Sequence, residues 1–202
     1  MKTWKSKILI LMLIYSGGVA AQNASASSKH PIYIDLQYAG NVGVASIGLG
    51  TAVFYKRINV GLVYGYLPKS LNGAEVHTIA IRGRYRYLHQ LINNVFYSSF
   101  SAGFNVNFAI THNSYLIFPD YYPKGYYAPN AIHIAPFLRQ ELSFQPENSI
   151  IEKVGLYFEL GTLDKYLWIL FNSGHVSFMD MVNVAVGLSI EIKQFTKSKT
   201  YE

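Results

Sequence analysis

The 202-residue chain carries 17 lysines and arginines against 11 acidic residues, for a formal net charge of +6, and half of it is hydrophobic. It has no cysteine, which excludes disulfide staples and thiolate chemistry. Three of the positive charges, Lys2, Lys5 and Lys7, stand in the first seven residues; without them 14 basic side chains face 11 acidic ones, a net of +3, and no basic run suited to nucleic acid is left.

Those three lysines precede a short apolar core, ILILMLIY (8–15), and the small residues SGGVAA (16–21). Charged start, apolar core and small-residue exit make a secretory signal peptide over 1–21. Gly18/Ala20 or Val19/Ala21 suits the positions before the cut, and the core is too short for a spanning helix, which needs about 20 residues. NASASSKH (23–30) lies in a polar leader, 22–30. A single domain over 31–195 and a tail over 196–202 complete the expected division.

Within 31–195 the dominant signal is alternation at period two. A first strand over 31–38 sets Ile32, Ile34, Leu36 and Tyr38 against Tyr33, Asp35 and Gln37. After the turn at Ala39-Gly40-Asn41, a second runs over 43–55, with Ala45, Ile47, Leu49, Thr51 and Val53 on its apolar face. Lys56-Arg57 reads as a tight turn into a third, 58–66. LPKSLNGA (67–74) is a loop by composition. The fourth strand, 76–87, alternates Ile79, Ile81, Tyr85 and Tyr87 with Arg82, Arg84 and Arg86.

The fifth strand, 96–110, sets Phe100, Ala102, Phe104, Val106, Phe108 and Ile110 against Ser99, Ser101, Gly103, Asn105, Asn107 and Ala109; no amphipathic helix keeps that rhythm. A sixth, 131–142, contains Pro136, which removes a ladder donor and marks an expected bulge. The seventh, through 154–161, either continues over 166–171 or breaks near 162–164. The eighth, 181–193, alternates Val182, Val184, Val186, Leu188, Ile190 and Ile192 with Asn183, Ala185, Gly187, Ser189, Glu191 and Lys193.

Eight antiparallel strands of this length match the span and even number of a transmembrane barrel, and in lipid the sheet must close to leave no free edge. The fold class expected is therefore all-β: a closed antiparallel transmembrane β-barrel with both ends of the chain in the periplasm. A soluble lipocalin-like barrel is the competing arrangement, with apolar faces inward and charges in water. Against it stand the length of the apolar faces and the glycines at 48, 50, 61, 65, 103, 155, 161 and 187, all on the polar face, where they make room for large side chains.

An eight-stranded lumen is filled by side chains, so Asp35, Arg82, Arg84, Arg86, Arg139, Glu141, Glu159 and Glu191 must neutralise one another there. Depth matching places Arg82 or Arg84 near Glu159 or Asp35, and Arg86 near Glu141 or Glu191. A filled lumen argues against a porin and leaves at most a narrow channel.

With these features the chain resembles the small eight-stranded outer-membrane β-barrel proteins of Gram-negative bacteria. The segments YAGNVGVASIGLG (38–50), LVYGYLPKSLNGAEVHTIAI (62–81) and YFELGTLDKYLW (157–168) are similar to a Bacteroidota-type outer-membrane barrel family. The resemblance covers essentially the mature chain and implies outer-membrane localisation. It carries over no catalytic residues.

The sharpest enzymatic alternative is an outer-leaflet lipid A hydrolase or acyltransferase. Lipid A deacylases on such barrels carry a His-x-Ser-Asn signature. Here His175-Val176-Ser177 is followed by Phe178, and His112-Asn113-Ser114 has the order wrong. Alternation sends the neighbours His77 and Thr78 to opposite faces. A nucleophile needs an oriented base at hydrogen-bond distance, and no such set is visible.

His77, His112, His133 and His175 point to the outer rim, but a metal centre needs three or four ligands in fixed geometry, so neither metal nor cofactor is expected. The loop Tyr121, Tyr122, Lys124, Tyr126 and Tyr127 reads as an interfacial cap with rings at headgroup level, or as a contact for glycan, lipopolysaccharide or a protein. The partners expected are outer-membrane lipid, lipopolysaccharide and the insertion machinery. The function expected is structural or surface-interacting.

Overall fold

The computed structural model describes residues 30–92, 95–111, 131–147, 150–172 and 181–193. The expected signal, most of the leader, the tyrosine-rich loop and the tail lie outside these residues. Eight strands follow one another: β1 (Ile32–Ala39), β2 (Ala45–Val53), β3 (Ile58–Leu67), β4 (Val76–Ile92), β5 (Phe96–Ile110), β6 (Ile132–Phe144), β7 (Ile151–Gly161) and β8 (Asn183–Ile192). Each pairs antiparallel with the next, and β8 returns to β1, so the sheet is a closed barrel. Two short helices, α1 (Lys69–Asn72) and α2 (Asp164–Asn172), stand at one end, called here the upper.

One row of pairing leads from Leu88 through Phe100, Gln140, Phe158, Val186, Tyr38, Ala45 and Tyr66 to His77. Residues 88 and 77 are both on β4, so one circuit climbs eleven residues (88 − 77). That stagger means strands tilted by about 40° to the barrel axis.

The two faces are inverted relative to a soluble barrel. Arg82, Arg84, Arg139, Asp35, Glu141, Glu159 and Glu191 are buried inside, while Leu49, Leu62, Phe104, Leu138 and Leu156 are each more than half exposed on the outer wall. This is the arrangement of a transmembrane-type barrel, whose outward band is solvated by lipid. The lipocalin-like alternative is overturned by it. Among the described residues, a buried apolar cluster sits inside near the upper end and comprises Val42, Val63 and Ala80.

Several elements depart from the sequence expectations. Residues 54–57 form one turn, with Phe54, Tyr55 and Lys56 all at positive φ. The second strand therefore ends at Val53, earlier than expected. Lys56 Nζ reaches Glu152 across the lower end and fixes the turn. β4 runs on to Ile92, five residues past its expected end, by means of a bulge between Arg86 and Leu88. The extra residue keeps Arg86 inside while restoring the alternation beyond it, so His89 pairs with the inward Ser99.

β7 stops at Gly161 and the chain turns into α2, whose first turn holds Asp164 as acceptor for Lys165 N at 2.8 Å. A helix fits YLWILF better than a ninth stretch of alternation, because its apolar residues are continuous. The expected loop 67–74 contains α1, ended by Gly73 in the left-handed region at φ 71°.

The expected bulge at Pro136 is absent. The β5–β6 register passes through Phe104↔Pro136 without a shift. The carbonyl of Pro136 accepts from Thr162 N at 3.1 Å, which places the proline nitrogen on the same side, just past the last β7 pair. The donor that proline lacks is supplied by Asn41 Nδ2, which bonds Thr162 O at 3.1 Å. A side chain 121 residues away in sequence thus completes the ladder end.

The inverted faces give a direct test. Leu62 is at mid-height on the outer wall and 61 % exposed. Leu62→Arg is expected to cost about 2–4 kcal/mol of folding stability in lipid vesicles, measured by urea titration of tryptophan fluorescence.

Candidate functional site

Alternation alone carries Asp35 and Gln37 from β1, the three arginines from β4, Arg139 and Glu141 from β6, Glu159 from β7 and Glu191 from β8 into one lumen. There the four guanidinium groups of Arg82, Arg84, Arg86 and Arg139 face four carboxylates, Asp35, Glu141, Glu159 and Glu191. The set is neutral.

Arg139 is its hub. Its Nη1 donates to Asp35 Oδ2 at 2.9 Å, and its Nε and Nη2 both reach Glu159 Oε2 at 3.2 Å. Its guanidinium carbon also lies 3.6 Å from the centre of the Tyr157 ring, a close cation–π contact. Arg82 shares the same acids at longer range, 3.5 Å to Asp35 and 3.6 Å to Glu159. Its shorter bonds go to Asn105 Oδ1 at 2.8 Å and Gln37 Oε1 at 3.1 Å.

Arg84 bonds Glu141 at 3.4 Å, and Arg86 bonds Glu191 at 2.7 Å. Of the partners anticipated by depth, Arg82 has both of its acids and Arg86 has Glu191. Arg84 reaches Glu141, one of the acids assigned by depth to Arg86. The reason is that Arg139, which the depth argument left without a partner, occupies Asp35 and Glu159.

The room for this network comes from glycine. A Cβ at Gly187 would run into the Tyr157 ring, one at Gly50 or Gly61 into Tyr33, and one at Gly103 into Phe137. Each lumen ring therefore lies over a bare patch of neighbouring backbone. Its other partner is a cation: Arg139 for Tyr157, Arg84 for Tyr33 at 5.6 Å and Arg82 for Phe137 at 5.1 Å. A buried guanidinium is held here by carboxylates at its edge and a ring near its face.

Asn41, a turn residue by sequence, closes the upper mouth. Its carbonyl accepts from Asn107 Nδ2 at 3.1 Å, its Oδ1 from Asn183 Nδ2 at 2.5 Å, and its Nδ2 reaches Thr162 O. The β1–β2 turn is thereby drawn across the barrel and tied to β5, β8 and the end of β7. The lower mouth carries His89, stacked on Tyr97 with centroids 5.1 Å apart, and Lys153, whose Nζ is 3.2 Å from His89 Nε2.

The rim histidines do not come together. His77 is on the outward face of β4, its Nδ1 2.7 Å from Tyr64 Oη and its Nε2 3.4 Å from Glu75 Oε1. His133 turns inward from β6 and meets Asp164 of α2 at 3.3 Å. Thr78, next to His77, is buried on the other side of the wall. His112, His175, Ser177 and the contact candidates Tyr121, Tyr122, Lys124, Tyr126 and Tyr127 lie outside the described residues. Among the described residues there is no group of three or more histidines, cysteines and acids able to hold a metal ion.

No family model matches this chain, and no curated protein matches it. The solved structures that align with it include two designed barrels. One, from work titled "De novo design of transmembrane beta-barrels", is 13% identical, covers 84% of this chain and 100% of its own, and has a TM-score of 0.39. The other, the solution NMR structure of the de novo designed TMB2.3, is 11% identical over 85% of this chain and 100% of its own, with a TM-score of 0.37. The fold assignment rests on the strand pairing of the chain itself.

Removing the hub leaves two acids buried without their main partner. Arg139→Met is expected to cost about 3–5 kcal/mol of stability, by urea titration in vesicles. Arg139→Lys is expected to cost less, because it keeps the charge and loses only the fork. Equal stability of Arg139→Met and the parent protein would show that the network is not what fills the barrel.

Proposed function

We propose that this chain is a non-enzymatic outer-membrane barrel of a Gram-negative envelope, a stoppered cylinder that anchors its upper loops at the cell surface. The observation that carries the reading is the neutral set of four arginines and four carboxylates spanning the lumen beneath the Asn41 lock. Polar groups bonded to one another across an eight-stranded interior leave the wall and the loops as working surfaces.

Export by the segment 1–21 and insertion by the outer-membrane assembly machinery belong to this reading. So does an upper end facing outward, where Tyr121, Tyr122, Lys124, Tyr126 and Tyr127 contact lipopolysaccharide or a surface partner. Aromatic and basic side chains suit both. Orientation follows from the lengths of the connections, since barrels of this type carry short periplasmic turns and longer outer loops. The turn 54–57 is at the lower end, and α1, α2, the end of β5 and the start of β6 are at the upper.

Two measurements test the reading. In planar bilayers the purified barrel is expected to give no stable conductance steps, while the double substitution Arg139→Ala with Glu159→Ala is expected to produce them. Steps from the parent protein would replace the stopper with a narrow channel. Mass spectrometry of lipid A from cells with and without the protein is expected to show the same acyl chains. A gained or lost chain would replace the structural role with a lipid A-modifying one.

A further inference from the structure

Gln140 stands where the alternation of β6 requires an apolar side chain. Its neighbours Arg139 and Glu141 are buried in the lumen. It therefore faces outward, in line with Leu138 and Leu142, which are 56% and 49% exposed. Across the ladder it is flanked by two more outward residues, Phe100 and Phe158.

On the pairing row that climbs from Leu88 to His77, Gln140 is the second step. At this tilt each step rises about 3 Å, so the carboxamide is rooted about 6 Å above the level of Leu88. Between the levels of Leu88 and His77, no other outward side chain of the described strands carries an amide or a charge. Nothing in the described chain hydrogen-bonds it. A polar group turned to hydrocarbon is disfavoured unless a partner meets it.

We propose that Gln140 is the centre of a contact between two copies of this barrel lying side by side in the membrane. The inference rests on the membrane reading above. The chemistry selects a second copy because a carboxamide offers one acceptor and one donor pair. A two-fold axis along the membrane normal sets Gln140 against Gln140, and each amide then donates to the other's oxygen.

The flanking residues do not select a partner alone, since lipid chains are as apolar as Phe100, Phe158, Leu138 and Leu142. The amide supplies the preference and the rings surround it. A charged residue in its place would repel its own symmetry mate, so the neutral amide is the polar group that suits a self-contact.

The absence of cysteine allows a clean test in vesicles. Leu138→Cys places one thiol beside Gln140, and Leu62→Cys places one on a distant part of the wall. With a lipid-soluble oxidant, disulfide dimers are expected to form at residue 138 in excess over residue 62. Adding Gln140→Leu to Leu138→Cys is expected to reduce them about threefold to tenfold. Energy transfer between fluorescently labelled copies should fall in parallel for Gln140→Leu alone.

Both thiols are expected to react with a lipid-soluble maleimide and to resist a membrane-impermeant one. Equal cross-linking at the two sites, or dimers unaffected by Gln140→Leu, would overturn the contact and leave the membrane reading standing. Labelling of residue 62 by the impermeant reagent would overturn both.

Discussion

The division of this barrel into a charged inside and an apolar outside turns on four guanidinium groups held in a cylinder only eight strands wide. A buried cation with no partner is unaffordable in a low-dielectric interior, so four carboxylates must arrive at matching heights from β1, β6, β7 and β8. Alternation then forces the residues between them onto the outer wall. The same requirement explains the glycines, because fork-and-ring packing around Arg139, Arg84 and Arg82 needs bare backbone beneath Tyr157, Tyr33 and Phe137. Outer apolarity and inner charge are thus two readings of one register, and a shift of one residue would exchange them.

Much of this was legible in the sequence, and the reason is physical. Period-two alternation is a local property, and it survives in any strand that separates lipid from a polar lumen. It located the eight strands and sorted Arg82, Arg84, Arg86 and Arg139 onto the same face as their acids. The pairings were harder to read. Depth along a strand can be counted, but the stagger between strands is set by closure, and a climb of eleven residues per circuit has no local signature. Hence depth alone points Arg84 at the acids that Arg139 takes.

The ladder end at Pro136 shows what local rules cannot see. A missing donor ordinarily implies a bulge or an edge. In the folded chain the gap coincides with the end of β7, and an asparagine from the opposite part of the sequence supplies the hydrogen bond. Asn41 looks like an ordinary turn residue in the sequence. Only the inward fold of its turn makes it a bolt across the upper mouth, joined to Asn107, Thr162 and Asn183. Gln140 is the reverse case: the residue breaks the outward pattern visibly, but its lack of a partner emerges only once its neighbours are placed.

The neutrality of the arginine–carboxylate set has a further consequence, for the response of the barrel to an electric field. Work done by a potential across a membrane scales with the net charge displaced through it, about 2.3 kcal/mol per elementary charge per 100 mV. Four cations bonded to four anions move as a dipolar cluster with no net charge to pull. A shift that carries the pairs together as one body is therefore nearly invisible to voltage. Bonded in this way, the eight groups keep their places at either polarity as long as they move as one body.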